Sequence, residues 1–294
     1  INNKKSLIKI FKKYKPKAIF NLAAETHVDR SIENPEIFVQ TNIVGTFNLL
    51  EISLKNYDNL NLLRKKEFRF HQVSTDEVFG SVNKGEYFTE SSKIKPNSPY
   101  AASKASGDHL VNAWHKTYGL PVSITNCSNN YGPWQFPEKL IPLVILNAVE
   151  GKKIPLYGDG KQVRDWLFVE DHIDALILTI SESDIGSFFC VGSKSDKSNF
   201  EVVNLICEIV DKNYPERLSS IELIKKVEDR PGHDDRYSID STLIKKELGW
   251  EPKINIYIGL EKTVKWYLDN FDWCKRILDK SGYDGQRIGL NRKN

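Results

Sequence analysis

A short apolar stretch followed directly by a hydroxyl and two carboxylates constrains the fold more than any other part of the sequence. Residues 68–73 are aromatic and β-branched and are bounded by charge, which predicts a buried strand. Thr75, Asp76 and Glu77 follow at once. Open parallel α/β sheets place their ligands at the carboxyl ends of strands. The sequence therefore predicts an α/β sheet with an acid–base cluster at its carboxyl edge.

Tyr100 and Lys104 form a second candidate site, because a helix places residues four apart on one face. An ammonium beside a phenol favours the phenolate, so we expect Tyr100 to be a base near neutral pH. Taken alone, such a pair is usually a surface pair on a helix, and a lone Thr-Asp-Glu is usually a helix N-cap. Both motifs together, in one stretch after a strand, favour catalytic chemistry.

Helical and strand patterns alternate along the chain, which is typical of an α/β domain. Helices are predicted over 4–14, 35–55, 100–118, 141–150, 171–182, 200–210, 242–248 and 258–270. Strands are predicted over 17–24, 68–73, 122–127 and 221–227, with 17–24 and 68–73 buried, and a further strand is predicted to lead into residues 169–172. Residues 56–66 are expected to be a polar connection, residues 129–142 a ligand-facing loop, and the tail after Gly282 loose.

Composition argues against several classes of function. The chain has 42 basic and 39 acidic residues, so its net charge of +3 gives no reason to expect a nucleic-acid partner. No apolar run approaches about 18 residues, so no membrane span is predicted.

The cysteines and histidines likewise predict neither disulfides nor a metal centre. Four cysteines lie far apart without metal-ligand spacing, which predicts reduced thiols in a cytosolic protein. His27, His172 and His233 do not form a ligand cluster by spacing, so no metal is expected.

Three residues have the chemistry of a nucleotide diphosphate site. Arg164 and Arg230 carry planar guanidinium forks that suit phosphate, although each could instead form a surface salt bridge. Tyr157 could stack on a base or could be an ordinary core aromatic residue. The residues alone leave these alternatives open.

Six stretches together resemble a known family. They are residues 22–31, 74–80, 100–104, 129–142, 164–172 and 229–234. The pattern is similar to the nucleotide-sugar 4,6-dehydratases of the extended short-chain dehydrogenase/reductase superfamily, most of all to the dTDP-glucose 4,6-dehydratases. Tyr-x-x-x-Lys marks the superfamily, and Thr-Asp-Glu marks the dehydratases. Residues 27–31 and 230–234 narrow the resemblance to the nucleotide-sugar 4,6-dehydratases. The resemblance extends from Leu7 to about Lys275.

The resemblance implies a fold and a division into domains. It implies a Rossmann-like, doubly wound parallel sheet with a smaller α/β C-terminal substrate domain. Residues 1–128 and 166–192 would form the NAD-binding domain, and residues 129–165 and 193–294 the nucleotide-sugar-binding domain. A cytoplasmic homodimer is implied too, with the helices at 35–55 and 100–118 as its surface.

The resemblance also implies a reaction, the dehydration of dTDP-glucose to dTDP-4-keto-6-deoxyglucose in deoxysugar (rhamnose-type) biosynthesis. Tyr100 would take the proton of the sugar 4-hydroxyl while hydride leaves C4 for NAD. Lys104 would lower the pKa of the tyrosine and hold the nicotinamide ribose, and Thr75 would bond the 4-oxygen. Glu77 would remove the C5 proton, and Asp76, held neutral, would protonate the departing 6-hydroxyl.

Family positions that match in this chain imply two sets of ligand contacts. For NAD they are Leu22, Ala23, Ala24, Glu25, Thr26, Thr41, Tyr100, Lys104 and Asn130. For the nucleotide sugar they are Thr26, Thr75, Asn129, Lys139, Leu140, Pro155, Tyr157, Arg164, Asn199, Arg230 and His233.

The chain departs from the family in one respect, since it contains no G-x-G-x-x-G fingerprint. Roughly 60 residues and three strands of a doubly wound sheet would precede Ile1. We therefore expect residues 18–24 to form an exposed apolar sheet edge, and the chain to be a piece of a longer protein. The alternatives are a variant without NAD, an inactive nucleotide-sugar-binding protein, and a dehydratase of UDP- or CDP-glucose. An epimerase would not need the Asp76–Glu77 pair.

Overall fold

The structure, a computed structural model, describes residues 1–281, so the predicted loose tail lies outside it. Strands within those residues are β1 (Ala18–Asn21), β2 (Arg69–Thr75), β3 (Val122–Cys127), β4 (Asn129–Tyr131), β5 (Ile154–Tyr157), β6 (Val163–Phe168), β7 (Phe188–Val191), β8 (Asp196–Ser198) and β9 (Ile224–Val227). Helices are α1 (Lys4–Tyr14), α2 (Val28–Glu33), α3 (Pro35–Phe38), α4 (Thr46–Asp58), α5 (Leu62–Glu67), α6 (Pro99–Tyr118), α7 (Leu140–Glu150), α8 (Val169–Glu182), α9 (Asn199–Asn213), α10 (Thr242–Leu248), α11 (Ile256–Asp269) and α12 (Phe271–Ser281).

A four-stranded parallel sheet forms the centre of the fold, in the order β1-β2-β3-β7. Helices cover both of its faces. Phe188 and Phe189, neighbours on β7, pack into different apolar clusters, as alternating strand residues must. The cluster on one face includes Phe70 and Leu50 from β2 and α4, and the cluster on the other includes Ala175 of α8. This is the doubly wound parallel architecture predicted from the sequence.

The remaining strands form two smaller sheets. β4 pairs with β6 in parallel and β6 with β8 in antiparallel orientation, while β5 pairs with β9. Their helices α7, α9 and α11 enclose a third apolar cluster around the fully buried Tyr131 and Tyr267. Because β4 follows β3 after a single residue, this second region starts at the carboxyl edge of the main sheet.

The long helical stretch Pro35–Asp58 contains a π-helical segment, Val39–Gly45. By length and composition alone the stretch could cross a membrane, although the sequence shows no long unbroken apolar run. Half of its most apolar window is buried inside the fold, and a core helix of a soluble protein passes the same test. A Cβ on Gly45 would lie 2.8 Å from the side chain of Ile1, so close packing explains a glycine inside this helix.

Several local predictions need correction. The first strand is not buried: it is the sheet edge within residues 1–281, and Phe20 is 38% exposed. The expected exposed edge is therefore confirmed. The connection at 56–66 contains most of α5, and the loop at 129–142 begins with β4. The helix predicted to be the last is followed by α12.

Candidate active site

The acid–base cluster after β2 is shaped by the strand and one tight turn. Thr75 is the last residue of β2, and a 3-10 turn of four residues follows. The Oγ1 of Thr75 donates to Oδ1 of Asp76 at 3.2 Å and accepts from the amide of Glu77 at 3.3 Å. Gly80 ends the turn with φ of +79°, and a Cβ there would lie 2.5 Å from the carbonyl oxygen of Lys95. Glycine therefore permits the close turn that aims the two acids.

Tyr100 and Lys104 lie in the first turns of α6, as predicted, and both are buried. Ser98 caps this helix, since its Oγ accepts from the amide of Ala101 at 3.1 Å. The Nζ of Lys104 donates to the carbonyl oxygen of Val73 at 2.7 Å. This bond attaches α6 to the strand that ends in the acid cluster, so the two motifs share one site.

Asp108 extends the same helix face by one turn, and the sequence analysis missed it. Its Oδ2 accepts from Ser74 Oγ at 2.6 Å and lies 3.5 Å from Nδ2 of Asn126. Burial raises the pKa of Asp108 from 3.8 to about 6, with Lys104 opposing the rise. The spacing Tyr100, Lys104, Asp108 was the available signal, since all three fall four residues apart.

The prediction that Lys104 makes Tyr100 a ready phenolate is wrong for this structure. Burial, followed by the charge of Glu77, raises the pKa of Tyr100 well above 10, and a hydrogen bond with Thr75 works the other way. The ammonium of Lys104 is directed to the Val73 carbonyl. Because burial penalises the anion, Tyr100 needs further positive charge before it can lose its proton.

Asp76 and Glu77 differ in their surroundings. Burial raises the pKa of Asp76 well above 3.8, and the charges of Glu77 and Asp165 raise it further. Burial also raises the pKa of Glu77, but Arg230, Arg164 and Lys139 all act to lower it. These directions agree with the prediction that Asp76 is the acid that stays neutral.

A cavity of about 190 Å³ opens beside Glu77. All the residues predicted for the substrate line it except Thr75: they are Thr26, Asn129, Lys139, Leu140, Pro155, Tyr157, Arg164, Asn199, Arg230 and His233. They come from elements far apart in the chain, including the turn after β1, α7, β5, β6 and the segment after β9. The fold thus gathers this predicted set around one space.

Cations dominate one part of the cavity wall. Arg164 is 4% exposed and donates to the carbonyl oxygens of Val163 and Asp234, both at 2.8 Å, which excludes a surface salt bridge for this residue. Its guanidinium lies 4.2 Å from the ring centroid of Tyr237. Lys139 donates to the carbonyl oxygen of Thr26 at 2.7 Å. A buried guanidinium and a half-buried ammonium of this kind suit a phosphate ligand.

Two further contacts orient groups in the same wall. The Nδ1 of His233 lies 2.7 Å from Oδ1 of Asp229, and burial lowers the pKa of His233 to about 4. The hydroxyl of Tyr157 donates to Oδ2 of Asp29 at 2.8 Å. Asp29 was not singled out from the sequence, although it lies inside the polar cluster after the first strand.

The residues predicted for NAD lie after β1, in β4 and on two helical segments, with Thr41 in the π-helical segment and Tyr100 and Lys104 in α6. Leu22 to Thr26 form the turn after β1, and only Thr26 of this set reaches the cavity wall. Asn42, which the sequence analysis missed, holds the turn: its side chain accepts from the amide of Glu25 at 2.9 Å and donates to its carbonyl oxygen at 3.0 Å. Thr41 precedes Asn42 in the π-helical segment.

Asn130 and the thiols complete the site. Asn130 Nδ2 donates to Cys127 Sγ at 3.2 Å, and within residues 1–281 the buried Oδ1 of Asn130 has no hydrogen-bond partner. All four cysteines are buried free thiols. Residues 1–281 contain no group of three or more His, Cys, Asp or Glu side chains that could hold a metal ion.

Known proteins are similar to this chain in sequence and fold. The family described as GDP-mannose 4,6 dehydratase matches residues 1–263. The dTDP-glucose 4,6-dehydratase of Neisseria meningitidis serogroup B is 50% identical over 99% of this chain and 83% of its own length. The structure of DesIV (dTDP-glucose 4,6-dehydratase) from Streptomyces venezuelae with NAD and TYD bound is 40% identical, has a TM-score of 0.84, and is matched over 94% of this chain and 80% of that one.

A second solved structure agrees with the first. The dTDP-glucose 4,6-dehydratase from Bacillus anthracis in complex with NAD is 43% identical. It superposes with a TM-score of 0.80 over 94% of this chain and 80% of its own.

Proposed function

Because the chain belongs to the dTDP-glucose 4,6-dehydratase family, we propose that it is a hydro-lyase that converts dTDP-glucose to dTDP-4-keto-6-deoxyglucose. Such a product serves deoxysugar biosynthesis of the rhamnose type. One observation carries the proposal: Glu77 lies in the cavity wall beside Arg164 and Arg230, while Asp76, next to it, is buried and burial raises its pKa well above 3.8. Elimination of water needs a base and an acid side by side in different protonation states.

NAD is the proposed cofactor, and the environment of Asn130 shows that the residues present suit a bound ligand. The buried Oδ1 of Asn130, unpaired within residues 1–281, leaves an acceptor that a ligand donor would satisfy. The residues that would hold NAD are Leu22, Ala23, Ala24, Glu25, Thr26, Thr41, Tyr100, Lys104 and Asn130. When bound, NAD supplies a positive ring in its oxidised form, takes up hydride from sugar C4 and returns it to C6.

Tyr100 receives the proton of the sugar 4-hydroxyl in this proposal. Burial and Glu77 raise its pKa, so deprotonation needs further positive charge, which the oxidised cofactor would supply when bound. Lys104 is held by the Val73 carbonyl at the point where α6 meets β2. Thr75, whose hydroxyl donates to Asp76, aligns the 4-oxygen.

Glu77 and Asp76 then divide the elimination between them. The 4-ketone makes the C5 proton acidic, and Glu77 removes it as the C6–O bond breaks. Asp76 gives its proton to the departing 6-hydroxyl, which leaves as water. Glu77 afterwards returns a proton to C5.

The protons of the cycle balance only if Tyr100 passes one proton to Asp76. Tyr100 ends the cycle with one proton more than it began with, and Asp76 with one fewer. The Thr75 hydroxyl donates to Asp76 and influences the pKa of Tyr100, so we assign the path from Tyr100 to Asp76 to this hydroxyl. This proton transfer restores the starting state.

The nucleotide part of the substrate belongs to the cationic side of the cavity. Arg164, Arg230 and Lys139 bring guanidinium and ammonium groups that suit a diphosphate to a wall that also carries the carboxyl groups of Asp29, Glu77 and Glu138. Tyr157 offers an aromatic face for the base. We assign this subsite to residues 129–165 and 193–294, of which the structure describes 129–165 and 193–281, and the cofactor site to residues 1–128 and 166–192.

Incubation of the purified protein with dTDP-glucose tests the proposal. A 4-keto sugar absorbs after alkali treatment, so signal with dTDP-glucose and less with UDP- or CDP-glucose supports the assignment. A stronger signal with UDP- or CDP-glucose would show that the preferred substrate carries a different nucleotide base. Calorimetric binding of dTDP without any keto product would indicate an inactive nucleotide-sugar-binding protein.

We also propose a cytoplasmic homodimer. Apolar side chains on the helical stretch Pro35–Asp58 support it, since Ile37 and Val39 are 43% and 45% exposed. Four free buried thiols suit a reducing compartment. Sedimentation velocity gives the test: a monomer across micromolar concentrations would contradict the dimer.

A further inference from the structure

Asp29 connects three segments of the chain inside the cavity wall. It lies at the start of α2 and is 2% exposed, yet both carboxylate oxygens are used. Oδ2 accepts from the hydroxyl of Tyr157 at 2.8 Å, and Oδ1 accepts from Nη1 of Arg230 at 3.1 Å. Those partners are 128 and 201 residues away in sequence. The contacts are therefore products of the tertiary fold and not of local chain geometry.

The guanidinium of Arg230 is held by Asp29 but keeps N–H donors that a ligand could use. Nη1 bonds Asp29, whereas the buried Nε has no hydrogen-bond partner within residues 1–281. A guanidinium has five N–H donors in a rigid plane, so fixing one edge leaves others directed at an incoming oxyanion. Fixing that edge also removes side-chain entropy that binding would otherwise have to remove.

The negative charge of Asp29 allows two possible roles, neutralisation of Arg230 and orientation of Arg230 and Tyr157, to be distinguished by experiment. Its carboxylate lies in the wall of a cavity lined by Arg164, Arg230 and Lys139, where a negative charge repels a diphosphate. His233 adds no positive charge near neutral pH, because burial lowers its pKa to about 4. If Asp29 only neutralised Arg230, its removal would strengthen diphosphate binding. If Asp29 orients Arg230 and Tyr157, its removal weakens binding.

We propose that Asp29 is a positioning residue of the nucleotide subsite, holding the Arg230 guanidinium for the diphosphate and the Tyr157 ring for the base. The inference rests on the proposed function for the identity of the ligand. The one buried carboxylate accepts hydrogen bonds from two groups of the cavity wall, which favours orientation over simple neutralisation. Asp29 itself makes no proton transfer.

Binding of dTDP to the full chain, measured by calorimetry, tests this role in Asp29→Asn. We expect the Kd to rise about tenfold, as for the loss of one charge-assisted hydrogen bond. The KM for dTDP-glucose should rise by a similar factor, with kcat within about threefold of the parent. Asp58→Asn is the matched control, because Asp58 is exposed at the end of α4 and should leave both constants unchanged.

A Kd that is unchanged or lower in a folded Asp29→Asn variant overturns the proposal, as does a loss of kcat with unchanged KM. Tyr157→Phe removes one of the two bonds without altering any charge, and it decides the matter if Asp29→Asn does not fold. We expect about threefold weaker dTDP binding from it, and unchanged binding overturns the proposal. A parent protein that binds dTDP but makes no keto sugar would refute the proposed reaction while leaving the Asp29 test intact.

Discussion

Asp108 gives a stability prediction whose size follows from its burial. The pKa of this carboxyl rises from 3.8 to about 6 in the folded protein. Between those values the folded protein keeps a proton that the unfolded chain has lost, so the carboxyl makes stability fall as pH rises. The cost is absent well below pH 3.8 and complete above about pH 6. It reaches about 1.6 kcal/mol at pH 5 and about 3 kcal/mol at pH 8.

Asp108→Asn removes this cost without changing the shape of the side chain. The amide oxygen can still accept from Ser74, which bonds Asp108 at 2.6 Å. We therefore expect the variant to be more stable than the parent, with a gain that grows by about 1.4 kcal/mol between pH 5 and pH 8. The pKa of Lys104 should fall further, since Asp108 heads the charges that raise it.

Urea unfolding followed by tryptophan fluorescence at several pH values measures this difference in free energy. Asp58→Asn, at an exposed position, is the control and should show a difference that does not change with pH. A stability gain for Asp108→Asn that stays constant, or shrinks, between pH 5 and pH 8 would refute the reasoning.

Three other predictions follow from the site and the core. Asp76→Asn and Glu77→Gln should each slow water loss by about 10²–10⁴-fold, and near-normal elimination in both would contradict their assignment. Tyr100→Phe should abolish formation of the keto sugar while dTDP binding by calorimetry stays within about threefold of the parent; retained turnover would exclude Tyr100 as the base. Burial lowers the pKa of His71 from 6.5 to about 3, so its stabilising contribution is complete above pH 6.5 and declines as pH falls. Urea unfolding of His71→Asn should therefore show about 2 kcal/mol less loss of stability than the parent between pH 8 and pH 5, and equal losses would contradict this.

Much of the main sheet could be predicted from local patterns. The helix over 4–14 and the strand over 122–127 have the predicted bounds, because strong periodicity and end signals specify them. β5, β7 and β8 were missed: they are three or four residues long and exist through pairing with β9, β3 and β6. Short strands of this kind have little local signal of their own.

The composition of the site was predictable, but its internal contacts were not. Resemblance supplied the residues around the cavity, and the fold brings them together. Asp29 contacts Arg230 across 201 residues, and no local pattern specifies a pair at such a separation. The prediction of a low pKa for Tyr100 was wrong for a related reason. Four-residue spacing placed Lys104 on its helix face, but tertiary packing determined burial and directed the ammonium to Val73.

Placement alone separates two adjacent carboxyls into an acid and a base. The side chain of Glu77 reaches the cavity wall, where Arg230, Arg164 and Lys139 favour its charged form. Asp76 is 1% exposed, and its strongest charged neighbours, Glu77 and Asp165, favour its neutral form. Charging Glu77 therefore keeps Asp76 protonated, because each negative charge raises the pKa of the other group. A site built in this way cannot exchange the two roles, since Glu77→Asp would shorten the reach to the cations and Asp76→Glu would bring a second acid toward them.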